Sequence, residues 1–328
     1  ERLAEAGRFD ELAELISSAT IADLTQTGVR AAIAVDRIED YLERFELTAT
    51  QAAHLHLDAA GAALAARRPE WFDKGSTFAV DRYREDGNAE GLAAALIIAS
   101  WMPAFTDLDH ALALLDEALV TADSVGAYSL GNVAIGYAGS HLALAGQLNQ
   151  ADAKLPTLEA RLSNVPDDYG WNLYYGVKFM TNVINNPVAA IEATRARSES
   201  HEATIGKHAV SWEWPLLQAA AHAANADVVT TRAMLSETEQ RVRDHAADDG
   251  LPDLLVPLAI LAWRLGDLSN SARWVTAIRR APQPTQNFLV TTAYRQVRDR
   301  VGLRVDNPLD GQTLEAIYQE ARTWLNNL

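Results

Sequence analysis

Trp171, Tyr174, Tyr175, Lys178 and Asn182 lie within one short stretch, and the spacing Trp171, Tyr175, Lys178, Asn182 is i, i+4, i+7, i+11. On a helix these four share a face. A second aromatic group, His208, Trp212, Glu213 and Trp214, follows about forty residues on. Aromatic walls with a lysine, a glutamate and an asparagine between them can hold a sugar, a nucleotide base or a peptide. The competing reading is that these large rings fill gaps between packed helices. Lys178 argues against a purely structural role, because a buried charge without a partner costs about 3 kcal/mol or more. Glu213 is a candidate partner for it. The expectation is a ligand or peptide site made by Trp171, Tyr174, Tyr175, Lys178, Asn182, His208, Trp212 and Glu213.

Other reactive side chains are less suggestive. His54 and His56 are two apart and do not share a helix face. No HExxH or similar spacing occurs, and His141 and His222 sit within apolar stripes, so no metal site is expected. Asp167-Asp168 and Asp248-Asp249 read as solvated helix caps rather than paired catalytic acids. There is no cysteine, which removes thiolate metal sites, cysteine nucleophiles and disulfides together. There is no GxxxxGK[ST] loop, so neither ATP hydrolysis nor cyclic-nucleotide synthesis is expected. Between Ser271 and Arg304 stand seven arginines and a single acid, Asp299. Arg279, Arg280, Arg295 and Arg298 are the expected docking group for an acidic partner, an anionic ligand or another domain of the same protein. The alternative is pairing with acids of the same chain.

These residues need elements to position them. Turn-rich joints recur around Arg67, Thr106, Gly146, Asn186, Asn225 and Gly266, at steps of 39, 40, 40, 39 and 41 residues. On either side of each joint the apolar residues follow a helical period, as in Leu130, Val133, Ala134, Tyr137, Ala138, His141 and Leu142. After Gly146, the stripe Leu148, Ala151, Leu155, Leu158 and Leu162 predicts a second helix. The unit is helix, turn, helix, about 40 residues long. The predicted fold is all-α, a right-handed α-solenoid of antiparallel helical hairpins. It forms one domain over 1–328, with N-terminal repeats in 1–68, units at 69–106, 107–146, 147–186, 187–225 and 226–266, and a last repeat with capping helices in 267–328. First helices of such hairpins line a concave face. Gly146 and Gly266 suit helix C-termini, Asp107 an N-cap, and Pro187 and Pro252 a first turn. Pro215 and Pro257 predict kinks or late starts. Trp71–Asn88 and Arg304–Gly311 carry no clear pattern.

Composition agrees. Hydrophobic residues are 48% of the 328, and glycine plus proline reach only 29 residues, below the usual share of about 12%. Net charge is −16, which opposes duplex DNA binding by this chain. No apolar run is read as long enough to span a membrane, and a cytoplasmic location is expected.

Two passages resemble a known family. One is Gly266-Asp267-Leu268 followed by Ser271-Ala272-Arg273-Trp274-Val275-Thr276-Ala277-Ile278-Arg279-Arg280. The other is Tyr294-Arg295-Gln296-Val297-Arg298-Asp299-Arg300-Val301-Gly302-Leu303, with Leu309 and Gly311-Gln312-Thr313-Leu314-Glu315-Ala316. Both resemble late repeats of the tetratricopeptide-like arrays in bacterial MalT-like and actinobacterial LuxR- or AfsR-type transcriptional regulators. The resemblance implies a sensor or interaction domain of a longer regulator. Such a domain binds a small effector, a peptide or a protein on its concave face and controls domains outside this chain. The family's ATPase, cyclase and DNA-binding motifs do not occur in this sequence, so no cofactor and no enzymatic activity are expected of it. A pure protein-docking scaffold is the first alternative and an α/α-toroid enzyme the second.

Overall fold

The computed structural model describes residues 28–66, 68–165, 167–205, 213–244, 251–281, 288–301 and 312–328, and among them every regular element is a helix. The chain divides into two compact units, one up to His141 and one from Leu142.

In the first unit the elements are α1 (Gly28–Arg44), α2 (Ala49–Ala66), α3 (Pro69–Glu85), α4 (Ala89–Ala99), the one-turn α5 (Pro103–Thr106), α6 (Leu108–Ser124) and α7 (Tyr128–Leu144), which runs on past the division. Successive helices pack on one another from α1 to α4, and α6 packs on α4 and α5. The patternless stretch Trp71–Asn88 is mostly α3. Its apolar side, Trp71, Phe72, Ala79 and Tyr83, is buried, while charged residues crowd the rest and hide the period. Gly75 allows α2 to approach, since a Cβ there would stand 2.4 Å from the His56 carbonyl oxygen. The sequence expectation on apolar length needs correction. Ala89–Thr106, 18 residues, is long and apolar enough by composition to cross a membrane. In the structure this stretch is broken at Ser100–Met102, and α4 buries Ala93, Ala95, Leu96 and Ile97.

The second unit holds α8 (Leu148–Asp152), α9 (Leu155–Leu162), α10 (Asp168–Asn182), α11 (Pro187–Ile205), α12 (Glu213–Ala224), α13 (Val228–Asp244), α14 (Leu251–Arg264), α15 (Leu268–Arg280), α16 (Phe288–Val301) and α17 (Leu314–Asn326). The single helix predicted after Gly146 is two, α8 and α9. Pro156 cannot continue a helix through Asp152, whose carbonyl its ring would meet. The apolar stripe nevertheless stays in register, with Ala151, Leu155, Leu158 and Leu162 all buried. Pro215 lies in the first turn of α12, and Pro257 lies inside α14.

Helices end and restart at all six joints named from the sequence. The turn chemistry repeats. At Gly146 (φ 81°) and Gly266 (φ 82°) the backbone enters the left-handed region. The next residue then donates to a carbonyl five residues back, Gln147 to Leu142 at 2.9 Å and Asp267 to Ala262 at 2.9 Å. This closes one helix while opening the next. Asp107, Asp227 and Asp267 cap the following helices by accepting from His110, Thr230 and Asn270 at 3.1, 3.0 and 3.1 Å.

One feature departs from a simple stack. The first helices of successive pairs, α10, α12 and α14, are the ones that a solenoid would present on its concave side, and α16 packs against all three. Its apolar stripe Leu289, Val290, Ala293 and Val297 is buried. Gln296 donates to the Met180 carbonyl at 2.8 Å, and Thr292 reaches the Met180 sulfur at 3.4 Å. The last helix, α17, lies against α13, α14 and α15. Trp324 stacks edge-on to the fully buried Trp274, with ring centres 5.0 Å apart, and donates to Asp267 at 3.0 Å.

Candidate functional site

The N-cap of α10 is Asp167, whose carboxylate accepts from the Gly170 amide at 2.8 Å. The capping role read for the Asp167-Asp168 pair falls to Asp167 alone, and Asp167 is buried rather than solvated as expected. From there Trp171, Tyr175, Lys178 and Asn182 run along one side of α10, and all four are half-buried. Tyr174, a residue to the side, is buried. The three rings touch: Trp171 meets Tyr174 edge-on at 5.4 Å and Tyr175 face-on at 5.8 Å, and the two tyrosines are 5.3 Å apart. Such contacts contribute about 1 kcal/mol each beyond the area they bury. The Lys178 ammonium stands 5.7 Å from the Tyr174 ring.

Other elements complete the surroundings. The Tyr174 hydroxyl bonds to Glu159 of α9. Burial, and next the Glu159 carboxylate, push the Tyr174 phenol up to about 12. Burial and the carboxylates of Glu159 and Glu199 raise Tyr175 as well. On the next side of α10, Gly176 leaves room for Arg197 of α11 and Leu289 of α16, which lie 3.0 and 3.5 Å from where its Cβ would be. The aromatic face is thus fringed by Glu159 and Glu199. Sequence reasoning missed both, because they come from helices other than that of the rings. An acid one turn before Leu162 carries no local signal.

The candidate residues do not all serve the same purpose. The Asn182 amide is occupied, donating to the Lys178 carbonyl and the Thr181 hydroxyl, both at 2.9 Å. His208 and Trp212 lie outside the described residues, as do the side chains of Glu213 and Trp214. Asp248 and Asp249 also lie outside them.

The arginine group is divided. Arg279 and Arg280 are exposed at the end of α15. Arg298 pairs with its neighbour Asp299 at 2.7 Å. Arg295 turns inward and donates to the Leu144 carbonyl at the end of α7, and burial and then Arg298 lower its pKa. Arg295 therefore contributes to packing, and its partner is a backbone carbonyl rather than an acid.

Among the histidines, His141 is fully buried, its Nε2 3.0 Å from the Ser100 hydroxyl. Trp101 meets it edge-on at 5.1 Å, and Tyr137 lies 6.1 Å away. A Ser–His contact of this kind is the opening of a nucleophile dyad. Here both groups have no solvent exposure, and Ser100 donates to the Ile97 carbonyl at 2.7 Å, so the pair is a buried core contact. His222 bonds to the cap residue Asp227 at 3.0 Å. Among the described residues no group of His, Asp and Glu gathers as a metal-binding set.

No family model and no curated protein matches the chain.

Proposed function

We propose that this chain is a binding module, a helical-repeat sensor that holds a small effector or a peptide and passes its occupancy to effector domains outside the chain. The observation that carries this reading is the contiguous aromatic face of Trp171 and Tyr175. It is half-buried, backed by Tyr174, with Lys178 beside the Tyr174 ring and the Glu159 and Glu199 carboxylates near Tyr175. Two ring faces with carboxylates at the edge suit an amine or a hydroxylated molecule, through cation–π attraction and hydrogen bonds to the acids. The resemblance to MalT-like, LuxR- and AfsR-type regulators supplies the regulatory part, and a cytoplasmic setting goes with it. The chain is proposed to have no catalytic activity, and DNA contact is assigned to other domains of the regulator. A protein-docking scaffold is the second reading, favoured by the burial of Tyr174, which spends one ring on packing.

The test is a thermal-shift screen of amines, sugars and nucleosides. A compound that binds only the folded state raises the melting temperature. Trp171→Ala and Tyr175→Ala should each weaken such a compound by about tenfold, roughly 1.4 kcal/mol, with circular dichroism unchanged. A compound that binds both variants as tightly as the natural chain removes this face from the proposal.

A further inference from the structure

The C-terminal ends of α10, α14 and α16 bring Arg300, one of the seven arginines between Ser271 and Arg304, together with Trp263 and Arg264, which the sequence did not associate with it. The Arg264 guanidinium lies 4.5 Å from the centre of the Trp263 indole ring, and that of Arg300 lies 5.8 Å from the same ring. Arg264 donates to the Ile184 carbonyl just beyond α10. Arg300 donates to the Asn185 side-chain oxygen at 2.6 Å and to the Gln296 carbonyl at 3.1 Å. All these partners are neutral. Among the described residues no carboxylate pairs with either arginine. By contrast, Arg44, Arg82, Arg84, Arg273, Arg298 and Arg322 each meet an acid. The chain has 44 acidic residues against 28 basic ones, yet these two neighbouring cations bond to neutral groups, as Arg232 and Arg295 also do with backbone carbonyls; what sets Arg264 and Arg300 apart is that they share one indole ring.

Capping helix ends does not account for the group. A cap at Ile184 or Gln296 uses a single N–H, which a lysine could supply. A guanidinium has several donors in a rigid fork, matched to carboxylate and phosphate oxygens. These bonds use one donor of Arg264 and two of Arg300, leaving most of both forks open on an exposed surface. They also fix the two side chains in place, so little ordering cost remains for a ligand to meet. Asn185 has its oxygen turned to Arg300, which leaves its NH2 as a further donor.

We propose that Arg264, Arg300, Trp263 and the Asn185 amide form a binding site for a small polyanion bearing phosphate or clustered carboxylate groups. Two cations call for more than one negative charge, and the indole gives them a common wall. The site is separate from the aromatic face of α10 and does not depend on that reading.

Isothermal titration of the full chain with inorganic pyrophosphate and, separately, with citrate at low ionic strength tests this. Binding of either anion is expected, weakened about tenfold in Arg300→Gln and in Arg264→Gln. Binding of pyrophosphate alone identifies a phosphate ligand, and binding of citrate alone a polycarboxylate. Arg195→Gln, which removes an exposed arginine of α11, should bind as the natural chain does. Because Arg264 also caps a backbone carbonyl, its variant is checked by thermal melting. The indole N–H resonance of Trp263, assigned through Trp263→Phe, gives a readout that does not require an arginine variant: it should shift on titration. If neither anion binds, or if affinity survives in both arginine variants, or if the Trp263 resonance stays still while other sites respond, the proposal is wrong.

Discussion

At the scale of single residues, burial decides what the titratable groups can do. His141 has no solvent exposure, and burial lowers its pKa from 6.5 to about 4. Ser100 already donates to a backbone carbonyl, so its oxygen accepts from Nε2–H, and Nδ1 has no partner among the described residues. A histidine depressed in the folded state binds fewer protons there than in the unfolded chain. Its contribution is therefore complete above pH 6.5 and is lost as pH falls from 6.5 through about 4. The loss is on the order of 3 kcal/mol. Urea unfolding followed at pH 7 and pH 4.5 should show a larger drop in midpoint for the natural chain than for His141→Gln. Equal drops would mean that His141 does not set the acid response. The sequence made His141 legible as a core histidine through its place in an apolar stripe. It could not reveal Ser100, 41 residues away. The same holds at the aromatic face, where the rings were legible from their spacing and Glu159 and Glu199 were not.

At the scale of elements, the turns carry most of the legible information, because their chemistry is local. One turn breaks its own rule. Ala226 has φ 58°, the conformation that Gly146 and Gly266 adopt at the matching joints. Its amide donates to Ala223 at 3.0 Å, and Asp227 donates to His222 at 3.0 Å, as in the glycine turns. An L side chain there costs about 1 kcal/mol. Ala226→Gly should therefore stabilise the chain slightly, by at most about 0.5 kcal/mol once the roughly 0.5–1 kcal/mol cost of glycine's greater freedom in the unfolded state is subtracted. A lower melting temperature for the variant would contradict this. The docking of α17 was not legible, because its partners come from distant positions. Glu239 of α13 accepts from Tyr318 and pairs with Arg322 at 2.7 Å, both pair members being mostly buried. Arg232 donates to the Leu325 carbonyl at 2.8 Å. Glu239→Ala leaves a guanidinium and a phenol without their acceptor and should cost about 2–3 kcal/mol in denaturant unfolding. Glu239→Gln, which keeps an acceptor for Tyr318, should cost less.

At the scale of the molecule, the period predicted where helices break, since each break is written in nearby residues. It did not predict what α16 does, since nearest-neighbour stacking has no place for a helix lying on three earlier ones. The difference can be measured. In a linear array, removing the last elements disturbs only the unit beside the cut. A chain ending at Ala281 lacks α16 and α17, and α10 should then lose amide-exchange protection although it lies about a hundred residues before the cut. Unchanged protection of α10 would restore the linear picture. The −16 charge also acts at this scale. Duplex DNA should not bind the isolated chain, and salt-sensitive retardation in a gel at submicromolar concentration would overturn that expectation.

The seat of α16 also sets the order of events when the chain is made. Arg295 bonds to a carbonyl 151 residues earlier, and Gln296 to one 116 residues earlier. Closing loops of that length is slow, because chain entropy opposes them before any contact is gained. Synthesis runs from the N-terminus, so α10, α12 and α14 leave the ribosome with the face that α16 will cover still bare. The second unit therefore passes through a period of apolar exposure that ends only when the segment up to Val301 has been released. In that interval it is a natural client for a chaperone, whereas the first unit can close on its own helices as they appear.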